Sequence, residues 1–268
     1  MSFGSERQTE PALEYFNARE RLEIYNRFQE EFLAPGRRSY VELALVKAPD
    51  DLKCIIEIGC GQGEILQLLS DRFPEAQIVG VDPSEEMIER ARLRLRDRTT
   101  LLLGDVGSVH NDLPPADLII GYSNFRFWKR PSAELLYLVE TLRSEDALLY
   151  LADLRRDIDP NILSAILDRL GSEEFKTLFG AQVKSAYSAE ELEALCGQAE
   201  LPGVSCLVGG LGGAEIMSRE TFNLLQRNEH LSNAVFALKS SGFLIPQAAE
   251  SVMHIYAKRT FGFNEASS

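Results

Sequence analysis

Two rhythms of apolar and polar positions divide the chain. From Pro11 to Ala34, the residues Leu13, Phe16, Leu22, Ile24, Tyr25, Phe28 and Phe32 recur at mostly helical spacing among charges, which predicts a helix. The stretch APGRRS (Ala34 to Ser39) breaks it, and YVELALVK predicts a shorter second helix. From Lys53 the pattern changes to short, continuous apolar runs, each followed by an amphipathic stretch. KCIIEIG (Lys53 to Gly59) predicts a buried strand ending in glycines, and EILQLLSDRF the helix after it. AQIVGVD (Ala76 to Asp82) predicts a second strand, with the helix of SEEMIERARLRL behind it. Met87, Ala91 and Leu95 share one face of that helix, and Ser84 is its expected N-cap in an acidic first turn. TTLLLGD, ADLIIGYS and ALLYLAD predict three further strands, with a helix over SAELLYLVETLR.

Strands this apolar, alternating with helices, imply a parallel sheet covered on both faces. Right-handed crossovers make it a doubly wound, Rossmann-like α/β sheet. Beyond the fifth strand the pattern loosens. Pro160 to Leu170 and Ser188 to Cys196 read as helices, GVSCLVG as a sixth strand and GGLGGA (Gly209 to Ala214) as a turn. Ser218 to Lys239 reads as helical, and VMHIYAKRT (Val252 to Thr260) alternates like a closing edge strand. The expected architecture is a seven-stranded, mostly parallel sheet with N-terminal helices and a helical insertion before the last strand. Residues 1–50 form a helical lid or cap and 51–260 the main domain, with insertions at 155–187 and 209–251 and a tail at 261–268.

The formal net charge of −13 changes the list of partners. A nucleic-acid binder concentrates Lys and Arg on one face. The five arginines of ERARLRLRDR (Glu89 to Arg98) fall at every second position, which spreads them around a helix. Nucleic acid is therefore a poor partner. No apolar run approaches the ~20 residues of a membrane span, and the N-terminus has no apolar signal core. Cys54, Cys60, Cys196 and Cys206 form no C-x-x-C pair, which suits a reduced cytoplasmic protein. The scattered cysteines and three separated histidines give no case for a metal.

The chemistry concentrates in EIGCGQGEIL, Glu57 to Leu66. A dinucleotide loop needs a small residue at the third position of G-x-G-x-x-G/A, and counting from Gly59 that position is Glu64. A carboxylate there is expected to repel a pyrophosphate on the helix N-terminus. Asp82 ends the second strand, where it can accept bonds from both hydroxyls of a ribose. Asp105 follows the third strand, where an adenine amino group can be read, and Glu57 precedes the glycines. Such a set suits S-adenosylmethionine (SAM) better than NAD. An NAD-dependent oxidoreductase and a catalytically silent SAM-binding module are the alternatives.

With EIGCGQG, VGVDPSEEM and LLLGDV in this order, the chain resembles the class I SAM-dependent methyltransferases. ADLIIGYSNFRFWKRP and ALLYLADLRRD resemble their region around strands four and five. FRFWKRPSAELLYLVETLR, YLADLRRD and SAYSAEEL are most similar to the small-molecule branch containing ubiquinone/menaquinone-biosynthesis C-methyltransferases. The resemblance implies SAM held by Glu57, Gly59, Cys60, Gly61 and Gly63, by Asp82, Pro83 and Met87, by Gly104, Asp105 and Val106, and by Tyr122 and Ser123. It also implies a small-molecule or peptide-like methyl acceptor. Tyr122, Tyr15, Arg155 and Arg156 are the candidates on the acceptor side, the two arginines as a bidentate clamp for a carboxylate.

Overall fold

The computed structural model describes residues 6–17, 19–95, 99–198, 204–208 and 252–257. Five apolar runs form parallel strands: β1 (Cys54–Ile58), β2 (Gln77–Asp82), β3 (Thr99–Leu103), β4 (Leu118–Tyr122) and β5 (Leu148–Leu154). Two more, β6 (Val204–Val208) and β7 (Val252–Ala257), complete a sheet of order β3-β2-β1-β4-β5-β7-β6. The order reverses between β1 and β4, so the chain leaves these neighbouring strands in opposite directions. A crevice opens at their carboxyl ends, where ligands bind in folds of this kind.

The helices in chain order are α1 (Glu10–Asn17), α2 (Arg19–Phe28), α3 (Ala34–Lys47), α4 (Glu64–Arg72), α5 (Glu85–Arg94), α6 (Val106–Val109), α7 (Pro131–Thr141), α8 (Pro160–Leu167), α9 (Glu173–Ser185) and α10 (Ala189–Gln198). Every residue of β1 is buried, as a strand covered on both faces requires. On one face Ile56, Val79, Ile119 and Leu149 pack with Leu135 and Leu138 of α7 and Leu192 of α10. On the other, Ile55, Ile78, Leu118 and Tyr150 meet Val41 and Ala44 of α3, Leu66 and Leu69 of α4 and Ile88 of α5. A third cluster joins Ala12, Tyr15 and Phe28 to Leu163, Phe175, Leu178 and Phe179, seating the N-terminal helices on α8 and α9. Among the described residues no helix is long and apolar enough to cross a membrane.

Two expectations need correction. The helix from Pro11 to Ala34 is instead α1, α2 and a π-helical turn (Gln29–Leu33), and APGRRS is helical, the first turns of α3. Pro35 sits in the opening turn of α3, where its missing N–H would have had no intrahelical acceptor anyway. Secondly, β7 is not an edge strand. It lies between β5 and β6, antiparallel to both, with His254 paired to Ala152 on one side and to Leu207 on the other. Ile255 and Ala257 are buried, and the alternation that suggested an edge comes from a strand filled by neighbours on each side. The turn at 209–214, the helix expected at 218–239 and the tail lie outside the described residues.

Candidate functional site

The loop leaving β1 is held by backbone bonds that only glycine geometry permits. Gly59, Gly61 and Gly63 have φ of 68°, 51° and 78°, in the left-handed region. The amides of Gly59 and Cys60 both donate to the carbonyl of Val81, at 2.7 and 3.0 Å. Asp82, the last residue of β2, accepts from the Gly61 amide through Oδ2 and from the Ser84 amide through Oδ1, each at 2.9 Å. This buried carboxylate therefore ties the glycine loop to the start of α5, where Ser84 Oγ accepts from the Met87 amide. Burial raises the Asp82 pKa, against the opposing pull of the two amides.

The three glycines do different work. A Cβ on Gly59 would lie 2.7 Å from Asn124 Nδ2. Asn124 donates to the carbonyl of Ile58 at 2.7 Å and accepts from the Trp128 indole at 2.9 Å, locking the end of β4 against the end of β1. A Cβ on Gly63 would meet Leu95 and Ala91 of the α5 region at 3.0 and 3.2 Å, so this glycine allows close helix packing. A Cβ on Gly61 would meet nothing within 4 Å. It faces open space.

That space is part of a partly open cavity. Its floor is Glu57, Gly59, Cys60, Gly61 and Gln62; Ile65, Met87 and Tyr122 add to the wall, and Tyr25, Gln29 and Arg37 close it from the N-terminal helices. Glu57 is 3% exposed, and its Oε2 has no hydrogen-bond partner. Burial, reinforced by Asp82 and Glu64 and opposed by Arg37, holds its carboxyl well above the usual range. The same burial, with Glu57 and Asp82 adding to it, keeps the Cys60 thiol protonated and unreactive. Tyr122 stacks on Tyr40 with ring centroids 4.8 Å apart, and burial pushes its phenol up to about 12.

Beside the cavity, Ser123 has φ of 63°, the one non-glycine residue in the left-handed region among those described. Its amide donates to Ala152, and its hydroxyl accepts from Arg126 Nη2 at 3.0 Å. Arg126 is 1% exposed and also bonds Asp153 at the end of β5 and Gln182 of α9. This buried network fixes the carboxyl ends of β4 and β5 relative to the third core cluster.

Of the predicted positions, Glu57, Gly59, Cys60, Gly61, Met87 and Tyr122 line the cavity together. Gly63, Asp82 and Ser123 support it from behind. Asp105 lies further along the crevice. It caps α6 by accepting from the Ser108 amide at 3.0 Å and pairs with Lys129 at 2.9 Å, which lowers its pKa. Val106 is buried beneath that cap; Gly104 has φ of 152°, and a Cβ there would lie 2.5 Å from Ser108 Oγ.

The acceptor-side arginines are placed differently. Arg155 pairs with Asp157, and Arg156 with Glu191 and the Ala186 carbonyl. Both fasten the chain after β5 instead of facing the cavity, because nearby carboxylates and a carbonyl satisfy them. Tyr15 is buried between α1 and α9, under Arg21. Glu64 also departs from expectation. It pairs with Arg37 at 2.6 Å and approaches Arg94 at 3.6 Å, so its charge is compensated and its power to repel a phosphate is reduced. Tyr25, on the N-terminal helices expected as a lid, lines the cavity, and so do Gln29, Arg37, Gln62 and Ile65, which were not among the expected site residues.

A doubly wound sheet with a glycine cradle at its switch point, and an acid ending the next strand, is the architecture of a Rossmann-like cofactor-binding fold. Residues 55–143 match the family described as a methyltransferase domain. It is 34% identical over 105 residues to a trans-aconitate 2-methyltransferase of Afipia carboxidovorans, covering 39% of this chain and 38% of the other. It is 32% identical over 153 residues to a malonyl-[acyl-carrier protein] O-methyltransferase of Priestia megaterium, covering 55% and 53%. The chain thus spans about half, or less, of the length of the curated relatives it matches. Among solved structures, the plantazolicin methyltransferase BamL in complex with a triazolic desmethylPZN analog and SAH superposes with a TM-score of 0.76 at 24% identity, over 93% of this chain and 94% of that one.

Proposed function

We propose that the chain is a SAM-dependent methyltransferase that binds its cofactor over the β1–α4 loop and methylates a small molecule or a peptide-like metabolite. One observation carries this reading: Glu57, whose buried Oε2 has no hydrogen-bond partner, lines the same cavity as the bare Cα of Gly61. A buried, unpaired acid is costly unless a ligand completes it. An ammonium group meets that demand, and the uncovered Gly61 leaves room for a ribose or thioether chain against the backbone.

The residues fit the cofactor on this basis. Glu57 holds the ammonium, Gly59, Cys60 and Gly61 form the floor, and Asp82 offers its remaining lone pairs to the ribose hydroxyls. Met87 and Tyr122 supply apolar walls, while Gly104, Asp105 and Val106 hold the adenine at the far end. When bound, SAM supplies an electrophilic methyl carbon on a sulfonium. The protein's part is to align an acceptor with that carbon and keep water out. Tyr122, with a phenol too basic to ionise near neutrality, serves as an orienting donor and not as a base.

Residues 1–50 act as the cap over this pocket. The relatives named above support a carboxylate or peptide acceptor as readily as a quinone ring, so the acceptor class stays at small molecule or peptide. The test is isothermal titration calorimetry with S-adenosylhomocysteine. Wild type should bind it, and Asp82→Ala should abolish binding while far-UV circular dichroism is unchanged. Tight binding of NADH with no response to S-adenosylhomocysteine would instead point to an oxidoreductase.

A further inference from the structure

The sheet ends at β3, and no described strand pairs with its outer side. The Gly104 amide donates to the Asp82 carbonyl at 3.0 Å. By the alternation of a parallel ladder, the N–H and C=O groups of Thr99, Leu101 and Leu103 therefore point away from β2. Monomeric proteins blunt such an edge with a lysine, a proline or a bulge. The sequence of β3 is TTLLL in unbroken register with β2, so it has none of these. Leu103 at its end is 51% exposed, and Leu93 of the neighbouring α5 is 90% exposed. Residues 209–251, which lie outside the described residues, leave β6 and rejoin β7 at the opposite side of the sheet.

Helix α5 packs over β2 and β3 and decides what this edge can meet. Met87 lines the cavity and Arg94 approaches Glu64 of α4 at 3.6 Å, so that flank of the helix faces inward. By helical periodicity the opposite flank, beside the free edge, carries Glu85, Glu89 and Arg92. All three are exposed, and none has an ion-pair partner among the described residues. The acids come first and the arginine last, so the flank complements its own reverse. We infer that the β3–α5 edge is a two-fold interface for a second copy of this chain. β3 pairs antiparallel with its counterpart about Leu101, setting Thr99 of each copy against Leu103 of the other. Paired strands lie about 4.8 Å apart, which brings the two α5 helices to about 10 Å, within helix-packing distance. Glu85 and Glu89 of one copy then face Arg92 of the other, twice by symmetry. Each copy carries a net charge of −13, which opposes self-association, so a shared edge needs such a local match. At most the 5 residues of β3 and part of the 10 of α5 meet the other copy. A standard interface uses ~20–30 residues a side, so this dimer is expected to be micromolar and concentration-dependent.

Sedimentation velocity on the full chain over a concentration series tests this. The mass should rise from the 30.0 kDa of one chain toward twice that value in the micromolar range. Leu103→Lys puts a charge on the exposed edge and should leave a monomer at every concentration. Arg92→Glu makes the α5 flank wholly acidic and should weaken the dimer by roughly tenfold or more, the scale of two exposed ion pairs. Adding Glu85→Arg and Glu89→Arg to Arg92→Glu exchanges the charges and should restore association, which a merely damaged surface would not do. Far-UV circular dichroism should be unchanged throughout. A wild type that stays at 30.0 kDa at all concentrations, as it would if a different protein covers this edge, overturns the inference. So does a dimer indifferent to Leu103→Lys and to the charge changes, because its contact would lie on another face.

Discussion

Adding one methyl group to Gly59 or to Gly61 should have opposite consequences, although the two are separated by a single residue. Both have positive φ, so alanine at either costs about 1 kcal/mol of backbone strain. At Gly61 nothing else is lost, because the new Cβ projects into open space. At Gly59 it would lie 2.7–2.8 Å from three atoms of Asn124. Asn124 must then move, giving up its bonds to Ile58 and Trp128. At about 1 kcal/mol for each bond, Gly59→Ala should cost about 3 kcal/mol in total and Gly61→Ala about 1 kcal/mol. Urea unfolding of the ligand-free variants, followed by tryptophan fluorescence, measures the difference. Calorimetry with S-adenosylhomocysteine gives the other half: Gly61→Ala should lose most of its affinity while remaining nearly as stable as wild type. Equal stability losses at the two positions, or undiminished binding by Gly61→Ala, would refute the division of labour within the loop.

Two further outcomes follow from buried charge. Arg126→Met leaves Asp153 without its cation and should lower stability by about 3–5 kcal/mol in thermal unfolding; Arg126→Met combined with Asp153→Leu should recover much of that loss. Glu57 and Asp82 both have pKa values raised by burial. The stability they allow is fully present below the ordinary carboxylate pKa and is lost as pH rises through the folded values. The melting temperature of the ligand-free protein should therefore decline over that window in differential scanning fluorimetry, and Glu57→Gln should flatten the decline. Asp105, Asp157 and Glu191, whose pKa values are lowered, act in the opposite sense and only at more acid pH.

The sheet was legible because β1 to β5 are covered on both faces, so their strands read as uninterrupted apolar runs between glycines and aspartates. The cradle was legible for a related reason: positive φ, a turn and an acid at a strand end demand particular residue types. The N-terminal wall was not. Tyr25, Gln29 and Arg37 lie on helical turns whose composition suits packing or solvent equally well, and only the seating of Phe28 on Phe175 and Phe179 aims them at the loop. Arg155 and Arg156 misled for the converse reason. Arginines after a strand end resemble a clamp, but Asp157 and Glu191 lie close enough to satisfy them. Pro35 marked a helix start instead of a break, a distinction set by where the preceding π turn ends.

Strand β6 touches the sheet only through β7, which follows it in the chain. A ribosome delivers residues 204–208 first, and they must wait until residues 252–257 have been made and have docked on β5. During that interval the backbone groups along the outer side of β5 have no strand to pair with. A nascent chain paused there would present a raw flank to its neighbours, so synthesis speed through this stretch should govern the yield of folded protein more than speed through the preceding two hundred residues.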